Sequence, residues 1–510
     1  MISPTSTIMP QWLLIPLVAL LPLILILKSK QVRRTNIPPG PPKLPIIGNL
    51  HQLGELPFRS LWELSKEFGP IMQLQLGRMP TLVVSSAELA SEILKSHDLE
   101  SCSRPDLKGT RRLSYNFLDI AFGPYTECWR EMRKLTVLEL FSVKRVQSFR
   151  FIREEEVSEM MSLISKSSSS ATPINLNEMF FNLTDEIICR VAFGKSYKGR
   201  DFDDGRFGDA IKEAVAILGS FSAADFFPYI GWILDRFTGI HGRQEKCFLE
   251  FDHFYQNVID EHLKNERDGS EQEDMIDVLL KVGQDQKGGG SLSNDHIKGM
   301  LMNIFLGAVD TSAVVLEWAM TELVKNPEVM MKLQDEIRST VVKKGKVVEE
   351  DIEQLKFLKM VVKETLRLHS PVPLLIPRET MQHFTIKGYD IYPKTRVLVN
   401  VWAIGRDPKY WNKPEEFMPE RFMDSSIDFK GTHFMLLPFG AGRRICPGMH
   451  MGIATVELTL ANLMYAFDWG LPNGMKKEDI DVDETSGLLA RKKSPIYLVP
   501  IEQNFNSISI

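Results

Sequence analysis

Cys446 stands in segment 438–448, in the order Pro438, Phe439, Gly440, Ala441, Gly442, Arg443, Arg444, Ile445, Cys446, Pro447, Gly448. Glycine and proline at this density exclude a regular helix or strand. Gly440, Gly442 and Gly448 permit the positive φ and close backbone approach that a flat cofactor pressed on the loop requires. The thiolate is then a metal ligand. With no second Cys or His within a few residues it cannot build a structural zinc site, which takes three or four protein ligands. A haem needs one, because the ring supplies the four equatorial nitrogens, and an axial thiolate donates electron density that favours O–O cleavage. Taken alone, a free cysteine reads as an inert, buried small hydrophobe.

The elements that must position Cys446 follow from hydrophobic period. Helical spacing runs over 88–97, 129–140, 177–193, 248–263 and 295–325, the last ended by Asn326 and Pro327. The middle of that long helix carries Gly307, Ala308, Val309, Asp310, Thr311 and Ser312. Glycine, Thr and Ser in mid-helix can free a carbonyl or bond backward, breaking the helix locally and opening a groove for water or oxygen. On its own this is a buried helix with small residues for close packing. Beside a haem loop, oxygen on the iron must receive two protons in a dry site, and the Thr311 hydroxyl with the Asp310 carboxylate forms a relay. Residues 71–86 read as a hairpin, and 383–401 as strand-rich, with a turn at Lys387 and Gly388 and a run from Arg396 to Trp402. His369, at a helix end before Pro371, reads as a capping or surface residue.

At 510 residues, 44% hydrophobic and 25% charged, the composition is globular. A net charge of -5 gives no sign of nucleic-acid binding. Five cysteines, widely spaced, do not suggest a disulfide framework and place the body in a reducing compartment. The stretch 12–27 is apolar throughout and, counted from Ile8, reaches about twenty residues, enough to span a bilayer. Lys28, Lys30, Arg33 and Arg34 follow it and no Lys or Arg precedes it, so the body faces the cytosol. We read 1–30 as a retained anchor, 31–45 as a basic and proline-rich hinge, and 46–510 as one mainly helical body with a small β region. The serine-rich 166–172 and glycine-rich 284–291 read as surface loops, and the charged run 153–156 as a solvated helix face.

The spacing of Phe439, Gly442, Arg444, Cys446 and Gly448 resembles the signature of the cytochrome P-450 haem-thiolate monooxygenases, and the chain is most similar to their plant microsomal type. Further motifs carry the resemblance along nearly the whole chain. Trp129, Arg130, Glu131, Met132, Arg133 is similar to a helix motif whose end residues contact a haem propionate, which implies that Trp129, Arg133 and Arg444 neutralise the haem carboxylates. Glu364 and Arg367, three apart on one helix face, resemble the family's helix pair, and Pro419, Glu420, Arg421, Phe422 its downstream partner, so Arg421 would complete a structural network. Ala308 departs from the pattern, which has glycine there most often, and bears on the width of the oxygen pocket.

The resemblance implies the cytochrome P-450 fold, haem b with Cys446 as axial ligand, and electrons from NADPH through a flavoprotein reductase. No nucleotide-binding glycine loop follows a strand here, so the electrons come from outside. Arg130, Lys134, Lys144, Arg145 and Arg443 form the expected docking face. The substrate pocket would be lined from 103–125, 218–222, 303–311, 372–376 and 487–489, with Ala308, Val372, Leu374, Leu375, Ile376, Leu488 and Leu489 as its apolar members, implying a small hydrophobic specialised metabolite of terpenoid, alkaloid or phenolic class. The expected setting is the endoplasmic reticulum membrane, in contact with lipid and with no nucleic acid. Two other readings stay open: a haem-thiolate isomerase or dehydratase working without reductase, and a non-catalytic haem-binding membrane protein.

Overall fold

The computed structural model describes residues 36–196, 206–264, 273–285, 292–342, 344–472 and 474–503. The expected anchor, the start of the hinge and most of the glycine-rich 284–291 lie outside the described residues. The helix Asn294–Lys325 runs through the centre of the body. Ser293 caps its first turn by accepting from the His296 amide, His296 accepts from the Ser293 amide in return, and Asn326 with Pro327 ends it. It is apolar nearly all round, and among the described residues it is the one helix long and apolar enough to cross a membrane; 72% of its apolar window is buried within the protein, as expected for a core helix. No break occurs at 307–312, contrary to the reading from small residues: the helix continues, and the Thr311 hydroxyl donates back to the Gly307 carbonyl at 2.6 Å.

Helices Leu176–Phe193 and Met449–Ala466 pack along it, and Phe193 stacks on Phe305 with ring centroids 4.9 Å apart. Beside this bundle lies a four-stranded sheet, in the order Ile71–Leu76, Met79–Val84, Arg396–Val399, Arg378–Glu379. The hairpin is where alternation placed it, with Met72, Leu74 and Leu76 buried against Leu61. Its second strand pairs in parallel with Arg396–Val399, Thr81 opposite Arg396. The run expected to reach Trp402 stops at Val399, because Asn400 turns its side chain to accept from the Ala403 amide and caps the helix Val401–Ile404.

Two further readings are corrected. The charged run 153–156 is not a solvated face: Arg153 is fully buried in the helix Arg150–Ser168, ion-paired with Glu349, and Glu156 is buried and paired with Arg190. His369 is the C-cap of the helix Lys356–Leu368, its amide donating to the Thr365 carbonyl, but it is buried and not at the surface: it stacks on Trp318 at 3.9 Å and its Nε2 lies 2.8 Å from Glu322. The proline segment lies against the body: the Gln73 amide donates to the Pro39 carbonyl and Asn49 donates to Pro41 and Pro42. A Cβ on Gly40 would stand 2.2 Å from the Gln73 carbonyl oxygen, so the segment lies directly on the hairpin.

Candidate active site

The cysteine loop is built by glycine and held by one buried acid. Gly440 and Gly442 take φ of +67° and +71°, the left-handed region glycine enters freely. Gly448 does not: its φ is −83°, and a Cβ there would meet the Phe141 ring at 3.8 Å and the Cys446 sulfur at 4.0 Å, ordinary contact distances. A Cβ on Gly442 would stand 2.3 Å from the Leu94 carbonyl oxygen and 2.7 Å from Asp98, so the loop is pressed against that helix turn. Asp98, buried, accepts from Arg378 at 2.6 Å and from the Arg443 amide and guanidinium at 3.0 and 2.9 Å. Arg378 also donates to the Ala441 carbonyl.

Cys446 is left with its thiol at the wall of a cavity of about 280 Å³. Burial pushes that thiol up, opposed by the amides of Gly448 and Met449 and by the charge of Arg133. Those amides open the helix Met449–Ala466, whose positive end favours a thiolate.

The same cavity is lined by four guanidinium groups: Arg104, Arg133, Arg378 and Arg444. Arg378 is neutralised by Asp98. The other three have no carboxylate within hydrogen-bond reach among the described residues. Arg104 donates to the carbonyls of Ala121, Ile376 and Pro377, Arg133 to that of Ile445, and Arg444 to those of Cys102, Ile120 and Gly123. Burial lowers all three guanidinium pKa values, Arg444 to about 9. One buried and two half-buried positive charges around one cavity call for an anionic guest. Together with a lone thiol on an open glycine wall, they fit a flat metal-bearing macrocycle with two carboxylates. Trp129 stands 3.8 Å beneath Arg444, ring to guanidinium carbon, and gives its indole N–H to Ile120.

Gly307, Ala308 and Thr311 of the long helix line the same cavity, and a Cβ on Gly307 would meet nothing within 4 Å. Asp310 is elsewhere. It is fully buried, is not among the lining residues, and pairs with Arg491; burial raises its pKa while Arg491 opposes the shift. Residues one apart on a helix do not share a face, and the hydroxyl and carboxylate point to different surroundings. Of the apolar residues singled out by sequence, Ala308, Val372, Leu375 and Ile376 line the cavity with Phe439. Leu374 packs instead beneath the hairpin, and Leu488 and Leu489 do not line it. Gly442 likewise faces Asp98 and not the cavity.

Glu364 and Arg367 are buried and joined by two bonds of 2.7 and 2.8 Å, and Arg421 reaches the same carboxylate at 2.8 Å. Arg367 also donates to the carbonyls of Gly405, Pro414 and Glu416. The trio ties the helix Lys356–Leu368 to the segment leading to the cysteine loop. On the outer face, Arg130 is paired with Glu127 and Arg443 with Asp98, while Lys134 and Lys144 are exposed. Sequence reasoning missed Arg104, Arg378 and Asp98 as members of the site. No local spacing marks them, because each is defined by a partner or cavity brought up from distant segments.

A family model described as Cytochrome P-450 matches residues 38–499. Among curated proteins of Arabidopsis thaliana, Cytochrome P-450 71B10 is 51% identical over 494 residues, covering 96% of this chain and 98% of its own. Cytochrome P-450 71B36 is 52% identical over 476 residues, covering 93% and 95%. Among solved structures, a zebra fish cytochrome P-450 with progesterone superposes with a TM-score of 0.74 at 26% identity, over 87% of this chain and 99% of that one. The same kind of protein with abiraterone gives 0.73 at 25%, over 88% and 100%.

Proposed function

This chain belongs to the cytochrome P-450 family of haem-thiolate monooxygenases, and from that premise we propose that it inserts one oxygen atom into a small, apolar specialised metabolite of terpenoid, alkaloid or phenolic class. The observation that carries the reading is that Cys446 and Thr311 line one cavity, together with the apolar Val372, Leu375 and Ile376. The haem, when bound, supplies oxygen activation at its iron.

The chain's own residues do the rest. Cys446 would hold the haem iron through its sulfur, and the amides of Gly448 and Met449 favour the thiolate form that this needs. Arg104, Arg133 and Arg444, the last over the Trp129 ring, would hold the two haem carboxylates, and Phe439, Gly442 and Gly448 shape the cysteine loop. Thr311 holds a proton at Oγ1, now shared with the Gly307 carbonyl, and rotation about its side chain turns it into the cavity. Asp310, turned to Arg491 and away from the cavity, takes no part in that proton's movement. Apolar walls exclude water and orient the substrate without a charged clamp.

Electrons come from NADPH through a flavoprotein reductase, docked on Arg130, Lys134, Lys144, Arg145 and Arg443 around the thiolate side. The setting is the cytosolic face of the endoplasmic reticulum, held by the N-terminal anchor. Exposed Tyr229, Ile230, Trp232, Leu234 and Phe237 support contact with lipid, since a contiguous apolar surface of this kind is costly in water.

The test is a reduced carbon monoxide difference spectrum in membranes, followed by NADPH consumption with added reductase over a panel of apolar metabolites. A thiolate-type band that disappears in Cys446→Ala, with substrate-accelerated NADPH use and an oxygenated product, is expected. A good thiolate band with no reductase-dependent turnover across the panel would shift the assignment to an isomerase, a dehydratase or a haem-binding protein.

A further inference from the structure

Segment 119–123 forms the roof of the cavity, through Ile120 and Ala121, and every polar group of its backbone that the structure pairs goes to a residue with a second duty. Its carbonyls are taken by the cofactor-side residues: Ile120 by Trp129 and Arg444, Ala121 by Arg104, Gly123 by Arg444. Its amides are taken by two residues on the other side. Asn303, from the long helix, accepts from Ile120 at 3.0 Å and Ala121 at 2.9 Å with its side-chain oxygen. Asp119, fully buried, accepts from Phe122 at 2.9 Å and Gly123 at 2.7 Å with one oxygen and from the Asn303 amide at 2.9 Å with the other. Two amide donors on one oxygen fix which way the Asn303 side chain is turned.

Two further features show that this closure is built and held under strain. One turn before Asn303, a Cβ on Gly299 would stand 2.9 Å from the Leu118 carbonyl oxygen, so the helix lets the segment approach only through glycine. Immediately upstream, Tyr115, Asn116 and Phe117 hold three successive left-handed φ values of 50°, 58° and 67°. Non-glycine residues enter that region at a cost and stay there only when the surroundings over-determine them.

We propose that Asn303, acting through Asp119, is the positioning residue that clamps segment 119–123 as the roof of the cavity and so sets which ligand shapes the site admits. The clamp rests on the reading of this cavity as the haem and substrate site. Both lone pairs of the Asn303 oxygen are spent, so the side chain offers no acceptor to a substrate hydroxyl or amine, and selection at the roof is by shape. Arg104 and Arg444 make the roof continuous with the walls that hold the cofactor, so displacement on one side is felt on the other.

The test uses the haem-loaded protein and three variants: Asn303→Ala, Asp119→Asn, and the exchange Asn303→Asp with Asp119→Asn. The first readout is amide hydrogen exchange in 115–125. The second is the ratio of spectral dissociation constants for imidazole and biphenylimidazole, a small and a bulky iron ligand. In Asn303→Ala, exchange at Ile120 and Ala121 rises about tenfold, the size expected for one lost buried hydrogen bond, and the bulky ligand gains at least about tenfold on the small one. Asp119→Asn moves both readouts in the same direction and serves alone if Asn303→Ala does not fold. The exchanged pair restores an acceptor–donor match at every position and returns both readouts toward wild type. Unchanged exchange, a ligand ratio within about twofold of wild type, or an exchanged pair no better than Asp119→Asn would overturn the clamp. None of these readouts needs turnover, so an enzyme silent with reductase would overturn the functional reading and leave the clamp standing.

Discussion

The carboxylate of Asp310 is paired with Arg491, while the hydroxyl of the very next residue, Thr311, faces the cavity. The long helix therefore divides a charge and a proton carrier between two sides. A fully buried carboxylate whose single cationic partner is removed is stranded at a cost of about 3 kcal/mol. Arg491→Gln should lower thermal stability at pH 8 by that order, and adding Asp310→Asn should recover most of it. Calorimetry of the two single variants and the double variant checks this; additive losses would mean that the pair does not interact.

A second prediction concerns the trio behind the cysteine loop. Arg367 makes five bonds from one planar fork, two to Glu364 and three to carbonyls. Lysine cannot reproduce that geometry. Arg367→Lys should cost about 3–5 kcal/mol by leaving Glu364 underpaired and should lower the fraction of protein with a thiolate band. A variant as stable as wild type would show that the network is decorative.

Glu317, on the same helix as Asp310, is buried and has its pKa pushed up to about 7 by desolvation, against the pull of Asn177 and Lys492. The folded state thus holds this proton more tightly than the unfolded chain does. Its stabilising effect is complete below about pH 4.5 and is lost as pH rises to about 7, with a total of order 3 kcal/mol. Glu317→Gln should therefore raise the melting temperature at pH 8 and change it little at pH 4.5. Unfolding scans at the two pH values, showing an equal effect or the opposite order, would refute the assignment.

Arg133 donates to a single carbonyl, that of Ile445, and has no carboxylate partner among the described residues. Its half-buried charge is a liability without an anionic guest and an asset with one. Arg133→Met should leave the stability of the cofactor-free protein within about 1 kcal/mol and speed loss of haem to an excess of a scavenging globin by about tenfold or more. Equal rates of loss would remove Arg133 from the cofactor cage.

What could be read from the sequence was what local spacing determines. The helix Asn294–Lys325, its proline stop and the hairpin Ile71–Val84 follow from period, cap and turn residues, and Cys446 from the chemistry of a lone thiol among glycines. Burial of charge could not be read that way. Arg153 was expected to face solvent because its neighbours are charged, yet its partner Glu349 lies far along the chain. His369 was read from its helix end as a capping or surface residue; it is the cap, but Trp318 and Glu322 from another helix enclose it. Arg104 and Asp98 carry no local signal at all. Gly448 was read with Gly440 and Gly442 as a positive-φ position, and only the other two take that conformation.

The parallel pairing of Thr81 with Arg396 also has a consequence for how the chain is made. The two strands leave the ribosome roughly 300 residues apart, which at the usual elongation rate is on the order of fifteen to sixty seconds. Throughout that interval the hairpin edge formed by Met79–Val84 is open, apolar and ready to pair with another chain. Shielding of the nascent hairpin, by chaperone or by an adjacent bilayer, becomes a condition of productive synthesis. Any truncation ending before Arg396 leaves that edge permanently exposed.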